Sequence, residues 1–144
     1  MPEDPPSAEL FQLDRATCMA LLGTQAVGRL VVVDDDGPRL IPVNYAVVDG
    51  SIVIRREHDR RSCAAGKVVF EVDQLDERTR SGWSVIARGS AHDLDAEEIG
   101  QLGERVTAWA PGLKERWIRI EVDEVTGRLL RGGVTPALDV HGYL

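Results

Sequence analysis

Four arginines fall within seven residues of this chain, at Arg55, Arg56, Arg60 and Arg61. Arginine carries a permanent positive charge and a planar fork of N–H donors that matches phosphate oxygens in pairs. The segment therefore predicts a site for a compact anion, most simply a phosphate. The alternative is a solvated surface loop whose arginines pair with nearby carboxylates.

The charge of the whole chain is opposite to that of the arginine segment. With 24 acidic and 17 basic residues the net charge is −7, and the isoelectric point is about 4.9. A protein that follows a nucleic-acid backbone needs an extended basic stripe. The composition thus argues against a nucleic-acid partner and favours a small ligand for the one basic segment.

The length and composition predict one folded domain in the cytoplasm. A chain of 144 residues with 43% hydrophobic content can bury one core. No apolar run approaches the roughly 18–20 residues that span a bilayer, and the start lacks the layout of a signal peptide, so no membrane partner is expected. Cys18 and Cys63 have no CxxC partner, which predicts reduced thiols and no zinc site.

The elements that must position the arginines are mainly strands. Residues 1–9 predict a disordered leader, 10–131 the folded domain and 132–144 a mobile tail. Alternating apolar residues predict strands at 27–33, 39–48, 51–55, 67–73, 83–91 and 116–130, the last with a bulge or bend near its middle. Helices are predicted at 13–22, capped by Asp14, and from Asp95 to about Val106.

This order of elements predicts a mainly β fold, with six or seven antiparallel strands closed into a small barrel. Asp49-Gly50 is a two-residue hairpin turn signature that joins the second and third of these strands. Pro42 lies inside a predicted strand, although proline cannot donate to a β ladder. It therefore predicts a strand edge, a bulge or a backbone that faces something other than a strand.

Taken in order, these residues resemble the pyridoxamine 5′-phosphate oxidase-like flavin-binding split barrels over about residues 10–131. Each motif is short, and the resemblance depends on the order in which the motifs follow one another along the chain. The motifs are Val27-Gly28-Arg29-Leu30, Pro42-Val43-Asn44-Tyr45 with Asp49-Gly50, Arg55, Phe70-Glu71-Val72-Asp73, Gly82-Trp83-Ser84-Val85, Trp109 and Val125-Thr126-Gly127-Arg128.

The resemblance implies a homodimer with two FMN sites at the subunit interface. The implied FMN contacts are the strand backbone beside the ring at Ile41, Pro42, Val43 and Asn44, the phosphate-binding segment of Arg55, Arg56, Arg60, Arg61 and Ser62, and Trp83 and Ser84 from a neighbouring strand or subunit. Arg56 and Arg61 stand where the family commonly has a hydroxyl residue and a lysine. A deazaflavin or haem therefore remains an alternative cofactor.

The resemblance further implies a flavin-dependent oxidoreductase acting on a small molecule, because a flavin itself carries the electron or hydride transfer. Two alternatives remain open: a flavin-binding protein for storage or sensing without turnover, and an apo dimerisation domain whose arginines pair with carboxylates of the partner. The chain has no nucleophile elbow and no GxGxxG motif, which argues against hydrolases and Rossmann dehydrogenases. No catalytic side chain is identified, and Trp109 and Trp117 are expected in the core or the dimer interface.

Overall fold

A computed structural model of the chain describes residues 8–57, 66–109 and 115–132. The elements, in chain order, are β1 (Glu9–Leu13), α1 (Arg15–Leu22), β2 (Val27–Asp34), β3 (Gly37–Val48), β4 (Ser51–Glu57), β5 (Gly66–Asp76), β6 (Ser81–Asp93), α2 (Ala96–Leu102) and β7 (Glu115–Arg131). Within these ranges, neither helix has the length and apolar character needed to cross a bilayer.

The seven strands form one antiparallel sheet that closes on itself. The strand order is β1-β7-β4-β3-β2-β5-β6, and pairing of β6 with β7 completes the barrel. The long strand β7 pairs with β6 along one edge and with β4 and then β1 along the other. Closure pairs β6 with β7, whose facing edges would otherwise be exposed. The mainly β, antiparallel barrel predicted from the sequence is confirmed.

The barrel is split between β3 and β4. These strands pair only from Asn44 opposite Arg55 to Val48 opposite Ser51, next to the Asp49-Gly50 turn. Residues 37–43 of β3 pair with β2 along one edge, and no described strand pairs with their other edge. Pro42 lies in this half of β3, which agrees with the strand edge, one of the three alternatives predicted from the proline.

Two hydrophobic clusters hold the fold together. The larger one fills the barrel and includes the fully buried side chains of Leu30, Ile54 and Phe70. The smaller one lies outside β4 and β7, where Leu102 of α2 packs with Trp117 and other apolar residues. Burial of this apolar area is the main stabilising contribution and fixes α2 against the outer face of β4.

Two elements differ from the sequence predictions, and one predicted irregularity is confirmed. The strand β1 was not predicted, because its side chains are largely exposed and show no alternation of polarity. Helix α2 ends at Leu102 and not near Val106, because Gly103 takes a positive φ of 61° and turns the chain out of the helix. The predicted bulge is confirmed: Gly89 pairs with Val122 and Arg88 with Glu124, which leaves one residue of β7 unpaired.

Candidate functional site

Arg55 lies at the point where β3 and β4 separate. Its guanidinium donates from Nη1 to the carbonyl oxygen of Val106 at 3.0 Å and from Nη2 to Glu115 Oε1 at 2.5 Å. Its Cζ lies 5.1 Å from the centroid of the Trp117 ring, a cation–π contact. The side chain is 25% exposed, so the protein holds it against its own surface and does not extend it into solvent.

Arg55 still has hydrogen-bonding capacity for a ligand. A guanidinium carries five N–H donors, and the contacts to Val106 and Glu115 occupy two of them. The Nε atom is buried and makes no hydrogen bond with any residue that the structure describes. The hydrogen bond from Arg55 lowers the pKa of Glu115, so this carboxylate is charged. An anion at Arg55 would therefore be an additional partner beside Glu115.

Asn44 is the cross-strand neighbour of Arg55 and is also held in place. Its Oδ1 accepts a hydrogen bond from the backbone N–H of Trp109 at 2.9 Å, and its Nδ2 donates to the carbonyl oxygen of Ala26 at 3.5 Å. These two contacts fix which way the amide faces. Asn44 and Arg55 thus form a preorganised polar pair at the start of the unpaired edge of β3.

The other predicted residues of β3 present alternating faces. Val43 is buried in the barrel core and Ile41 packs against it, whereas Pro42 is exposed on the outer surface. A ligand along this edge would meet the side chains of Pro42 and Asn44, and only the backbone of Ile41 and Val43. The predicted contact of this backbone with a flavin ring stays a prediction.

The arginines of the segment do not all converge. Arg56 follows Arg55 on a strand, so the two side chains leave opposite faces of the sheet, and Arg56 lies opposite Arg116 in the register. Arg60, Arg61 and Ser62 lie outside the described residues. Their predicted contacts with a phosphate therefore stay predictions.

Trp83 lies on the inner face of β6. Its side chain is 8% exposed and belongs to the barrel core, because alternation on β6 turns Trp83 inward and Ser84 outward. The barrel core thus holds the Trp83 side chain, and the predicted approach of this residue to a cofactor stays a prediction. Ser84 lines an outer groove of about 490 Å³ together with Gln12, Thr126 and Arg128.

A single chain does not bring Ser84 together with Asn44. Strands β2 and β5 lie between β3 and β6 in the sheet, which places the two residues three strand spacings apart, roughly 14 Å along the sheet. The two parts of the predicted site are therefore separate surfaces of this chain.

Between these surfaces lies an outward-facing cluster of charges, whose residues the sequence analysis named only as parts of two family motifs. Arg29 Nη1 is 3.6 Å from Glu71 Oε1 and 3.7 Å from Asp73 Oδ2, so two carboxylates share one guanidinium. The pKa of Glu71 is raised to about 7, first by partial burial and then by the hydrogen bond with Asp73 and the negative charge of Asp73. The positive charge of Arg29 lowers this pKa by a smaller amount. Glu71 is therefore partly protonated near neutral pH.

We predict that Glu71 makes the protein less stable as pH rises from about 4.5 to 7. In that interval the folded state holds a proton that the unfolded state has lost, so the free energy of unfolding falls with increasing pH. Glu71→Gln should remove this contribution, with a gain over wild type on the order of 1 kcal/mol at pH 8 and less at pH 5. Urea unfolding at both pH values measures it.

The control for this prediction is Glu121→Gln, which removes an exposed carboxylate from β7. It should leave the pH dependence of the urea midpoint as in wild type. An identical slope for Glu71→Gln and wild type would contradict the raised pKa.

Two partners of the site escaped the sequence analysis. Glu115 and Val106 follow Arg55 by 60 and 51 residues, and nothing in the local sequence marks either one. Trp109 is 69% exposed, so its expected place in the core is wrong, whereas Trp117 is buried as predicted. The other expectation for Trp109, a place in a dimer interface, stays a prediction.

The fold and the site together define a split-barrel protein whose barrel opens beside an arginine and an asparagine. The family model that matches the sequence describes pyridoxamine 5′-phosphate oxidase and covers residues 14–129. The chain belongs to the pyridoxamine 5′-phosphate oxidase family.

Known proteins support this assignment over nearly the whole chain. The uncharacterized protein Rv0080 of Mycobacterium tuberculosis is 36% identical over 138 residues, which cover 89% of this chain and 91% of that protein. A Corynebacterium glutamicum structure, provisionally named a pyridoxamine 5′-phosphate oxidase, has a TM-score of 0.75 and 28% identity and covers 93% of this chain and 100% of that one. An FAD-binding protein of Mycobacterium smegmatis has a TM-score of 0.72 and 28% identity, with 84% and 98% covered.

Proposed function

We propose that this protein binds a flavin nucleotide and uses it as an oxidoreductase of a small molecule. The observation that carries the proposal is the edge of β3 that no described strand pairs, which begins beside the Arg55 guanidinium and its buried Nε, unsatisfied among the described residues. A flavin nucleotide joins a planar ring with polar edges, suited to a free backbone edge, to a phosphate suited to arginine. The FAD-binding relative from Mycobacterium smegmatis supports a flavin as the ligand.

FMN is the smallest ligand that has both the ring and the phosphate, and it remains the form expected from the family resemblance. The backbone of residues 41–44 would hold the ring, and Arg55 the phosphate. Arg60, Arg61 and Ser62 would complete the phosphate site, whereas Arg56 leaves the opposite face of β4 and would not join Arg55 there. When bound, a flavin supplies electron or hydride transfer, while the chain orients it and excludes water.

A homodimer would complete the site. Asn44 and Ser84 lie on separate surfaces of one protomer, and a second copy can bring its outer groove, with Ser84 and Arg128, to the open edge of the first. The outer surface also carries apolar side chains suited to burial between protomers, among them Val33 and Leu40, which are 69% and 62% exposed.

The outer groove favours an enzyme over a storage or sensing protein. It is an open concave surface with the polar side chains of Gln12, Ser84, Thr126 and Arg128, which can orient a small substrate beside a ring held by the partner. A ring enclosed by apolar side chains would have favoured a binding protein without turnover. A cytoplasmic location is proposed with this function, in keeping with the free thiol of Cys18.

The proposal is tested by what the purified protein retains. We expect yellow protein, a flavin identified by mass spectrometry, and a solution mass of twice 15.8 kDa. The bound flavin should be reduced by dithionite and reoxidised by a small organic acceptor faster than free flavin is. Protein that releases both added FMN and added FAD completely on desalting would contradict the proposal.

A further inference from the structure

Trp109 is the one tryptophan of this chain whose indole faces solvent. It is 69% exposed, whereas Trp83 and Trp117 are 8% and 7% exposed. Leaving so large an aromatic surface in water forgoes the stabilisation that its burial would give. An exposed indole beside a ligand site is suited to stacking on a planar ring.

The segment that carries Trp109 is anchored to the site at two points. The carbonyl oxygen of Val106, itself 1% exposed, accepts the hydrogen bond from Arg55 Nη1 at 3.0 Å. Three residues later, the backbone N–H of Trp109 donates to Asn44 Oδ1 at 2.9 Å. Because Asn44 and Arg55 are cross-strand neighbours, these contacts place the backbone of Trp109 at the rim of the polar pair, and its side chain is exposed to solvent there.

The position of Trp109 beside Asn44 and Arg55 indicates which part of a ligand its indole would contact. The unpaired edge of β3 runs from Val43 towards Gly37, away from Arg55 and Trp109. With the phosphate at Arg55 and the flavin ring along that edge, Trp109 lies on the phosphate side. In FMN nothing follows the phosphate, whereas in FAD a second phosphate and then the adenosine follow it.

We propose that Trp109 is the stacking platform for the adenine ring of FAD, and that the chain therefore prefers FAD to FMN. This rests on the proposed function, since it assumes the flavin phosphate at Arg55. Stacking of a base on an aromatic side chain tolerates any flat ring and contributes enough to set such a preference. Aromatic substitution at this position should therefore preserve the preference and truncation should abolish it.

The test is the affinity of flavin-free protein for FAD and for FMN, measured by calorimetric titration. Wild type should bind FAD more tightly than FMN. Trp109→Ala should weaken FAD binding about tenfold to a hundredfold and leave FMN binding unchanged, and Trp109→Phe should keep most of the FAD affinity. Leu75→Ala, which removes another side chain that is 65% exposed, is the matched control and should change neither affinity.

Two results would overturn the role of Trp109. If wild type bound FAD and FMN with equal affinity, the proposed preference for FAD would be wrong. Equal weakening of both flavins by Trp109→Ala would mean that the indole contacts the ring or ribityl chain that the two share. Binding of neither flavin by wild type would overturn the proposed function as well, so the two failures are distinguishable.

Discussion

Replacing Arg55 by alanine is expected to release the bound flavin. The substitution deletes a charge-assisted contact to the phosphate worth about 1.5–3 kcal/mol, which corresponds to roughly 10- to 150-fold weaker binding. It also leaves the charged Glu115 carboxylate, which the guanidinium now neutralises at 2.5 Å, facing the phosphate. Both effects weaken binding of FMN and FAD alike, because the two share this phosphate. Titration of flavin-free protein with each flavin measures the loss.

A matched control is available on β3. Arg39 forms an ion pair with Asp34 at 2.8 Å and is 31% exposed, similar to Arg55, but it lies five residues from Asn44 at the far end of the strand. Arg39→Ala removes the same charge and an equivalent ion pair and should keep flavin affinity close to wild type. The melting temperature of each variant without flavin separates binding from stability. If Arg55→Ala bound flavin as tightly as wild type, the flavin phosphate would not bind at Arg55.

Replacing Gly28 by alanine is expected to destabilise the fold by about 3 kcal/mol, the upper end of the usual cost of overpacking a core. A Cβ at Gly28 would lie 2.2 Å from Cζ of the fully buried Phe70 ring. The ring cannot simply move away, because it packs edge-on against Tyr45 with 4.9 Å between ring centroids. Tyr45 is itself tied by its hydroxyl to the carbonyl oxygen of Leu22. Urea unfolding followed by tryptophan fluorescence measures the loss.

Two further variants show whether the cause is steric. Gly100→Ala in α2 meets no atom within 4 Å, and it should stabilise the protein by up to about 1 kcal/mol because alanine favours the helix. Phe70→Leu should cost stability alone but cost less when combined with Gly28→Ala, because the smaller side chain makes room for the methyl group. Strictly additive losses would argue against the contact between Gly28 and Phe70.

The sequence predicted the fold class, most strand positions and the polar segment, because each of these has a local signal. Alternation of apolar residues marked the strands, Asp49-Gly50 marked the hairpin, and Pro42 marked an open edge. The strand β1 had no such signal, since its side chains are largely exposed and it is held by pairing with the end of β7. The cofactor-site assignments came from the family resemblance and remain predictions.

What the sequence alone determined was the arginine-rich segment, the local turns and caps, and the alternation that turns Arg55 and Arg56 to opposite faces. These follow from the stereochemistry of a few neighbouring residues. Only the tertiary structure decided that Glu115 and Val106 would contact Arg55, that Trp83 would be buried and that Trp109 would stand at the rim. Such pairs meet because the barrel closes to bury its core, and closure joins residues too distant in the chain to leave any local trace.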